Sequence, residues 1–167
     1  YSYSTHFHLT WMRLADVYLM YAEAVAQANG QADAKSSTFS KSAADAVNTI
    51  RERAGVDPLP SKYTSSLSLF MDELIRERAV ELAFEGHLFK DLRRWLLLTE
   101  YPYNIKTRQD FDRAEVLDPK KDPKENAVNN WREEVIIERE LTNKHYWLPF
   151  KTEDVTIYPE FTQNPGW

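Results

Sequence analysis

The 167-residue sequence contains no cysteine. Disulfide bonds, cysteine-ligated metal sites and thiol catalysis are therefore excluded within it, although the cellular compartment is left undecided. Glycine is also scarce, with only four residues, and the sequence has no Gly-x-Ser-x-Gly elbow, phosphate-binding glycine loop or dinucleotide fingerprint. No cofactor is therefore implied, and no motif of a nucleotide-dependent enzyme or a serine hydrolase is found.

Long apolar runs and an excess of basic residues are missing as well. No run of about 18 apolar residues occurs, so no segment is predicted to span a bilayer. The net charge of −5 argues against a nucleic-acid partner, which normally meets a basic surface. The sequence begins at Tyr1 without an initiating Met or a signal peptide. Processing of a precursor or an additional upstream region would explain this start.

Apolar and aromatic residues are abundant. Apolar residues make up 43% of the sequence and aromatic residues 13%, including five Trp and nine Tyr. This composition predicts a folded chain that forms one domain with a sizeable core, or part of a larger one. Aromatic rings fill such cores, and they also bind the flat apolar faces of ligands.

Two helices are predicted in the first third of the chain, after an extended lead-in over residues 1–10. Residues 11–29 are rich in Ala, Leu and Met and stop at a glycine, and residues 42–54 show helical spacing of small apolar residues after a serine cap. With the polar loop 31–41 between them, they predict an αα-hairpin of the tetratricopeptide type. Such stacks need about three repeats, and the sequence holds one copy, so neighbouring helices are expected outside it.

The remainder of the chain is predicted to be one long helix followed by irregular structure and a small hairpin. The helix is expected over 69–97 with a bend or close contact at Gly86. Residues 99–130 have the charge and proline content of a long surface excursion. Residues 133–140 and 145–150 read as two β-strands. Four tryptophans in patterned segments are expected in the core: Trp11, Trp95, Trp147 and Trp167.

The long helix carries acids at every fourth position, interleaved with bases. The acids are Glu73, Glu77, Glu81 and Glu85. The simplest interpretation is an ion-paired helix face, in which exposed pairs stabilise by about 0.2–0.5 kcal/mol each. A di-iron site requires Glu-x-x-His, whereas Glu85 and His87 are two residues apart, and the zinc motif His-Glu-x-x-His does not occur. In the first helix, Arg13, Asp16 and Glu23 lie near one stripe and predict a further paired cluster.

Two other kinds of site remain open from the residues alone. A glycosidase needs two carboxylates about 5–10 Å apart across a cleft, and many pairs in this sequence could meet that requirement without any one being selected. His6 and His8 would face the same way on a strand, but no third metal ligand is evident. Metal binding and hydrolysis therefore have no specific support.

Five phrases, taken in order, resemble the C-terminal part of the SusD/RagB family. They are "RLADVYLMYAEAVAQANG", "AADAVNTIRERAG", "ELIRERAVELAFEGHLFKDLRRW", "YWLPF" and "EFTQNPGW". The resemblance implies a mainly α fold, with tetratricopeptide-like helix pairs, long irregular loops and a small β-hairpin. It also implies that residues 1–167 form the C-terminal portion of a single SusD-like domain, whose N-terminal half and lipid anchor lie outside this chain.

The same resemblance implies a function. SusD-like proteins are non-catalytic lipoproteins on the external face of the outer membrane, anchored through an N-terminal Cys that this chain lacks. They bind oligosaccharide or polysaccharide and deliver it to a SusC-like TonB-dependent transporter. The expected partners are therefore that transporter, a glycan ligand and the remaining N-terminal part of the same protein. Capture of peptides, as in RagB-like members, a helical scaffold without a small ligand, and a hydrolase are the alternatives.

The resemblance also divides the candidate residues into two groups. The family's signature helix is architectural, which implies a structural role for Arg13, Glu23, Glu81, Glu85, Gly86, Asp91, Arg93, Arg94 and Trp95. Phe89 and Trp95 are expected to fill the core, and Gly86 to allow a close approach of another backbone. The ligand-binding candidates are Tyr101, Tyr103 and Trp131, in or beside the long excursion. The alternative for these rings is that they pin the excursion to the body of the protein.

Overall fold

The computed structural model describes residues 12–112, 128–158 and 160–167. The chain divides into two compact units, Tyr1–Leu88 and Phe89–Trp167. Each unit is described by itself. Trp11, His6 and His8, which were considered above, lie outside the described residues. Within the described ranges, no helix combines the length and apolar character needed to cross a membrane.

The first unit opens with the predicted pair of helices. Helix α1 spans Leu14–Asn29 and ends at Gly30, whose positive φ of 74° is the left-handed conformation that terminates many helices. Helix α2 spans Ala43–Arg53. Its N-terminus is closed by a capping box, in which the Ser42 side chain accepts from the Asp45 backbone N–H and the Asp45 carboxylate accepts from the Ser42 backbone N–H. Both helices are confirmed close to their predicted ends.

The predicted third helix is two helices in the structure. After a short helix α3 (Ser61–Thr64), helix α4 covers Leu67–Glu81 and helix α5 covers His87–Arg94. The turn between α4 and α5 holds Phe84 at φ 65° and Gly86 at φ 79°. A single helix over 69–97 was therefore wrong, although the bend at Gly86 is confirmed. Among the described residues nothing lies within 4 Å of a Cβ built on Gly86, so its positive φ, and not a close approach, explains the glycine.

Helices α1, α2 and α4 enclose the core of the first unit. Helix α1 packs against both α2 and α4. Alanines of α1 and α2 form much of the contact, and Ala22, Ala26 and Ala46 are completely buried. Small side chains let the helix axes come close, while the larger Phe70 and Leu19 fill the space between them.

The opposite face of α1 is also apolar but uncovered. Leu14, Val17 and Met20 are spaced three residues apart and are 66%, 42% and 40% exposed. The apolar residues of α1 lie nearly all round the helix, a pattern typical of a helix that is buried on several sides. In the described residues only the inner side is covered.

The second unit contains the small antiparallel hairpin. Strand β1 (Ile105–Asp112) pairs with strand β2 (Asn129–Glu138), and both are mostly exposed. The hairpin is confirmed, but one of its strands was predicted wrongly. Residues 145–150 form the end of a 3₁₀ helix (Asn143–Tyr146) and irregular backbone, and the partner of β2 comes from the segment that was expected to be irregular.

Side-chain amides hold the C-terminal residues in place after helix α6 (Thr152–Ile157). The amide of Gln163 donates to the Phe150 carbonyl and accepts from the Phe150 N–H, at 3.0 and 2.8 Å. The Trp167 indole N–H donates to the Lys144 carbonyl at 3.0 Å. These bonds take the place of regular secondary structure in this segment.

The expected burial of several rings was wrong within the described residues. Trp147 is 63% exposed, Trp167 is 46% exposed and Phe89 is 52% exposed, while Trp95 is only half-buried. The physical reason is that the described part of the second unit has few buried apolar side chains, chiefly Leu92 and Leu98. A mainly α chain with one small hairpin nevertheless confirms the predicted fold class.

Candidate ligand-binding site

Arg13, which precedes α1, binds Glu81 at the end of α4 and Glu85 in the turn that follows. Its Nε donates to both oxygens of the Glu85 carboxylate at 2.9 and 3.0 Å, and its Nη1 pairs with Glu81. These hydrogen bonds hold the pKa of Glu85 below its ordinary value, and the same pairing raises the pKa of Arg13. Arg53 of α2 also pairs with Glu81, so three segments of the chain meet at these acids.

A second pair between α1 and α4 is almost completely buried. Arg78 Nη1 donates to Asp16 Oδ1 at 3.0 Å, and the two side chains are 4% and 6% exposed. Removing one partner of such a pair leaves an uncompensated charge in the core, which typically costs about 3–5 kcal/mol. The predicted charge cluster on α1 is thus formed with α4. Glu23 lies half-buried on the same helix.

A third cluster joins α2 to α4. Arg51 pairs with Glu77, lies 3.4 Å from Glu73, and donates its Nε to the Asp57 carbonyl at 2.7 Å. Arg76 donates its Nε to Glu73 at 2.9 Å and its Nη2 to Glu77 at 2.8 Å. Each carboxylate is therefore neutralised by two guanidinium groups, so neither is placed for acid–base chemistry. All four acids of the predicted stripe are engaged in ion pairs.

The signature residues of the second unit also make local contacts. Arg94 donates to Asp91 at 2.9 Å and lies over the Trp95 ring at 4.2 Å. Arg93 donates from its Nε to the Tyr146 carbonyl at 3.1 Å and so ties α5 to the 3₁₀ helix. None of these groups lines a cavity described below.

A polar groove of about 520 Å³ lies along α2 in the first unit. Its polar side chains are partly used by the fold: Asp45 caps α2, Lys41 donates to Thr49, and the Asn48 side chain accepts from the Leu59 N–H. Ser42 hydrogen bonds lower the pKa of Asp45 accordingly. Among the described residues no aromatic ring lines the groove, which makes it a poor surface for a sugar.

The hairpin in the second unit has two chemically different faces. In an antiparallel pair, directly opposed residues point to the same face. Arg108 is paired in register with Glu134, and Asp110 with Arg132. Their side chains form ion pairs on this face, which we call the ion-paired face.

The other side, which we call the open face, carries hydrogen-bonding groups and two large exposed rings. Its members are Thr107, Gln109, Phe111, Trp131, Glu133 and Val135. Thr107 is paired in register with Val135 and Gln109 with Glu133. Trp131 lies two residues before Glu133, on the same side of the strand, and is 55% exposed. Within the described part of the chain, Glu133 makes no ion pair.

A depression of about 360 Å³ adjoins the open face. It is lined by Tyr101, Pro102, Ile105, Thr107, Glu133 and Val135. Tyr101 is 78% exposed. The structure thus places the predicted candidate Tyr101 in the lining of the depression, and Trp131 two residues along β2 from Glu133, which also lines it. Tyr103 is half-buried and does not line the depression.

The chemistry of this surface suits holding a sugar better than cleaving one. Ring faces stack on sugar C–H groups, and Thr, Gln and Glu side chains exchange hydrogen bonds with hydroxyls. A glycosidase needs two carboxylates across a cleft. Of the described residues, only Glu133 brings a carboxylate to the depression. Sequence reasoning missed Thr107, Gln109 and Glu133, because their common face depends on a strand register that the sequence does not reveal.

Comparison with known proteins agrees with this architecture. The model of the SusD family matches residues 2–167. Among solved structures, the chain is similar to a SusD-like protein from Bacteroides fragilis NCTC 9343, with a TM-score of 0.68 and 24% sequence identity. That match covers 100% of this chain and 28% of the other, so the chain spans little more than a quarter of that protein's length. A search of curated proteins gave no match. The SusD-like fold predicted from the sequence is confirmed.

Glu85→Gln tests the ion pair with Arg13 through its pH dependence. Because Arg13 lowers the pKa of Glu85 in the folded state, the pair stabilises the fold above the unfolded-state pKa of about 4.3. This stabilisation is lost as the pH falls through the lower folded-state pKa. We expect urea denaturation to show a deficit in the variant at pH 7 that shrinks progressively below pH ~4.

Glu100→Gln provides the control, since this exposed acid forms no ion pair in the described residues. Its unfolding free energy should follow that of the parent protein at every pH. A Glu85→Gln deficit that stays constant from pH 7 down to pH ~3 would show that the carboxylate charge is not what stabilises the fold.

Proposed function

Because this chain belongs to the SusD family, we propose that it binds oligosaccharide or polysaccharide without cleaving it, as part of a nutrient-uptake system at the cell surface. The family consists of binding proteins and not of enzymes, and its general role is the binding of nutrients and glycans. This family relationship supports binding in general. The choice of a glycan as the ligand, and the place where it binds, are parts of the proposal.

The open face of the hairpin is the observation that carries the proposal. It presents an exposed indole, a hydroxyl, an amide and a carboxylate on one side, next to the depression at Tyr101. On the ion-paired face, the charged side chains pair with one another, so fewer polar groups remain to bind a ligand. Trp131 and Val135 are separated by about 13 Å along an extended strand, so the open face can support an elongated ligand. We assign Trp131 and Tyr101 as the stacking rings and Glu133 as a hydroxyl acceptor.

A peptide is the second candidate ligand, and one feature favours it. In the described part of the chain the sheet has two strands, so each has an edge with unpaired backbone N–H and C=O groups. An extended peptide could add a strand there through main-chain hydrogen bonds. A sugar would use the side chains of the open face instead, which lets mutations distinguish the two ligands.

The glycan proposal predicts that substitutions of two adjacent carboxylates, Glu133 and Glu134, have different effects on ligand affinity. Calorimetric titration with a panel of neutral oligosaccharides should identify a ligand. For that ligand, Trp131→Ala should weaken binding about tenfold or more, equivalent to ~1.4 kcal/mol, and Glu133→Gln should weaken it several-fold. Glu134→Gln on the ion-paired face is the matched control and should leave the dissociation constant unchanged.

Two outcomes would contradict this assignment. Equal effects of Glu133→Gln and Glu134→Gln would remove the open face from the site. Binding of extended peptides, with no response to any oligosaccharide and no sensitivity to Trp131→Ala, would favour capture at the strand edge.

We also propose that the chain is the C-terminal portion of a longer SusD-like domain. Its match covers 28% of the SusD-like protein from Bacteroides fragilis, and the uncovered apolar stripe of Leu14, Val17 and Met20 offers a surface on which a further helix can pack. In this proposal the remaining N-terminal part carries a lipidated Cys, anchors the protein to the external face of the outer membrane, and completes the domain that meets a SusC-like TonB-dependent transporter.

Purification from the native membrane tests this part of the proposal. An antibody against the exposed loop 35–40 should isolate an outer-membrane protein much heavier than the 19.6 kDa of this chain, together with a TonB-dependent β-barrel. A native protein of 19.6 kDa in the aqueous fraction, with no barrel bound, would contradict it.

A further inference from the structure

A third cavity, in the second unit, differs from the open face in its chemistry. It measures about 430 Å³ and is lined by Phe150, Asp154, Tyr158, Glu160 and Phe161. Three of its five lining residues are aromatic and the other two are acids. We call it the acidic aromatic pocket. Neither the family relationship nor the proposed glycan site gives it a role.

The rings of this pocket are held in place before any ligand arrives. The centroids of Phe150 and Phe161 are 4.5 Å apart, with ring planes at 46°. The Gln163 amide bonds both backbone groups of Phe150. A second amide, that of Asn164, donates to the Leu148 carbonyl at 2.6 Å. A preorganised wall reduces the ordering cost of binding.

The two acids have no internal cation. Within the described residues, neither Asp154 nor Glu160 forms an ion pair, although Lys151 lies only three positions before Asp154. This contrasts with the first unit, where Glu73, Glu77 and Glu81 of α4 are matched by guanidinium groups. An anionic ligand would be repelled from this pocket. A purely apolar ligand would cover the two carboxylates without replacing the hydrogen bonds that water gives them.

We propose that the acidic aromatic pocket receives an arginine side chain from a loop of a partner protein. The methylene stem would lie against Phe150 and Phe161, the guanidinium plane would stack on a ring, and its N–H groups would reach Asp154 and Glu160. Arginine fits better than lysine, because its flat, weakly hydrated group stacks on rings and donates to two carboxylates at once. The chain's net charge of −5 also favours a basic partner.

This inference does not rest on the glycan proposal, since the pocket and the open face share no residue. Substitutions at the pocket should leave oligosaccharide affinity unchanged, and Trp131→Ala should leave the pocket intact. Failure of one proposal can therefore be told from failure of the other.

Two short peptides that differ only in one side-chain group, a charged guanidinium or a neutral urea, provide the test. The probes are acetyl-Gly-Arg-Gly-amide and acetyl-Gly-citrulline-Gly-amide, which have nearly the same shape. Saturation-transfer NMR on the intact protein at low salt should show the arginine side-chain methylenes in contact with it. We expect a dissociation constant on the order of 1 mM and at least ~fivefold weaker binding of the citrulline peptide.

Variants of adjacent acids locate the interaction. Asp154→Asn and Glu160→Gln should each weaken the arginine peptide several-fold. Glu153→Gln removes the neighbouring charge on α6, which does not line the pocket, and should have little effect. Equal binding of the two peptides, equal loss in all three variants, or no saturation transfer to the arginine methylenes would overturn the proposal.

Discussion

The pairing of guanidinium groups with carboxylates between α4 and its two neighbours is the interaction on which the first unit depends. Arg78 reaches Asp16 on α1, and Arg51 of α2 reaches Glu73 and Glu77 on α4. Buried charges are tolerated only when they are matched, so these pairs restrict how the three helices can be arranged. The small alanine faces of α1 and α2 then supply close packing in the same arrangement.

These ion pairs distinguish the charged groups that hold the helices together from the charged groups that remain able to bind a ligand. The glutamates that looked most like a catalytic cluster in the sequence each form an ion pair with an arginine. Glu133 and the two acids of the acidic aromatic pocket form no ion pair within the described residues. The groups that we propose as ligand contacts lie in the second unit. There, exposed rings such as Trp131 and Tyr101 accompany them. The same separation is the physical basis for our proposal of a binding function.

Local signals in the sequence predicted the helices well and the site poorly. The capping box at Ser42 and the stop at Gly30 act within a few residues, so they could be read directly. The sequence predicted a bend at Gly86 but not the end of the helix before it, because Phe84 adopts a positive φ that its residue type does not favour. Strand β1 was missed because "IKTRQDFD" has no apolar alternation and forms through pairing with β2. Which residues share the open face could be determined only from the pairing register of β1 and β2.

A double-mutant cycle on Asp16 and Arg78, followed by urea denaturation, tests the central claim most directly. If the buried pair braces α1 against α4, Asp16→Asn and Arg78→Met should each lower the free energy of unfolding by about 3–5 kcal/mol. The loss of unfolding free energy in the double variant should be at least ~1 kcal/mol smaller than the sum of the two single losses. The reason is that the second substitution leaves no unpaired charge in the core. Single variants within ~0.5 kcal/mol of the parent protein, with additive effects, would contradict the account.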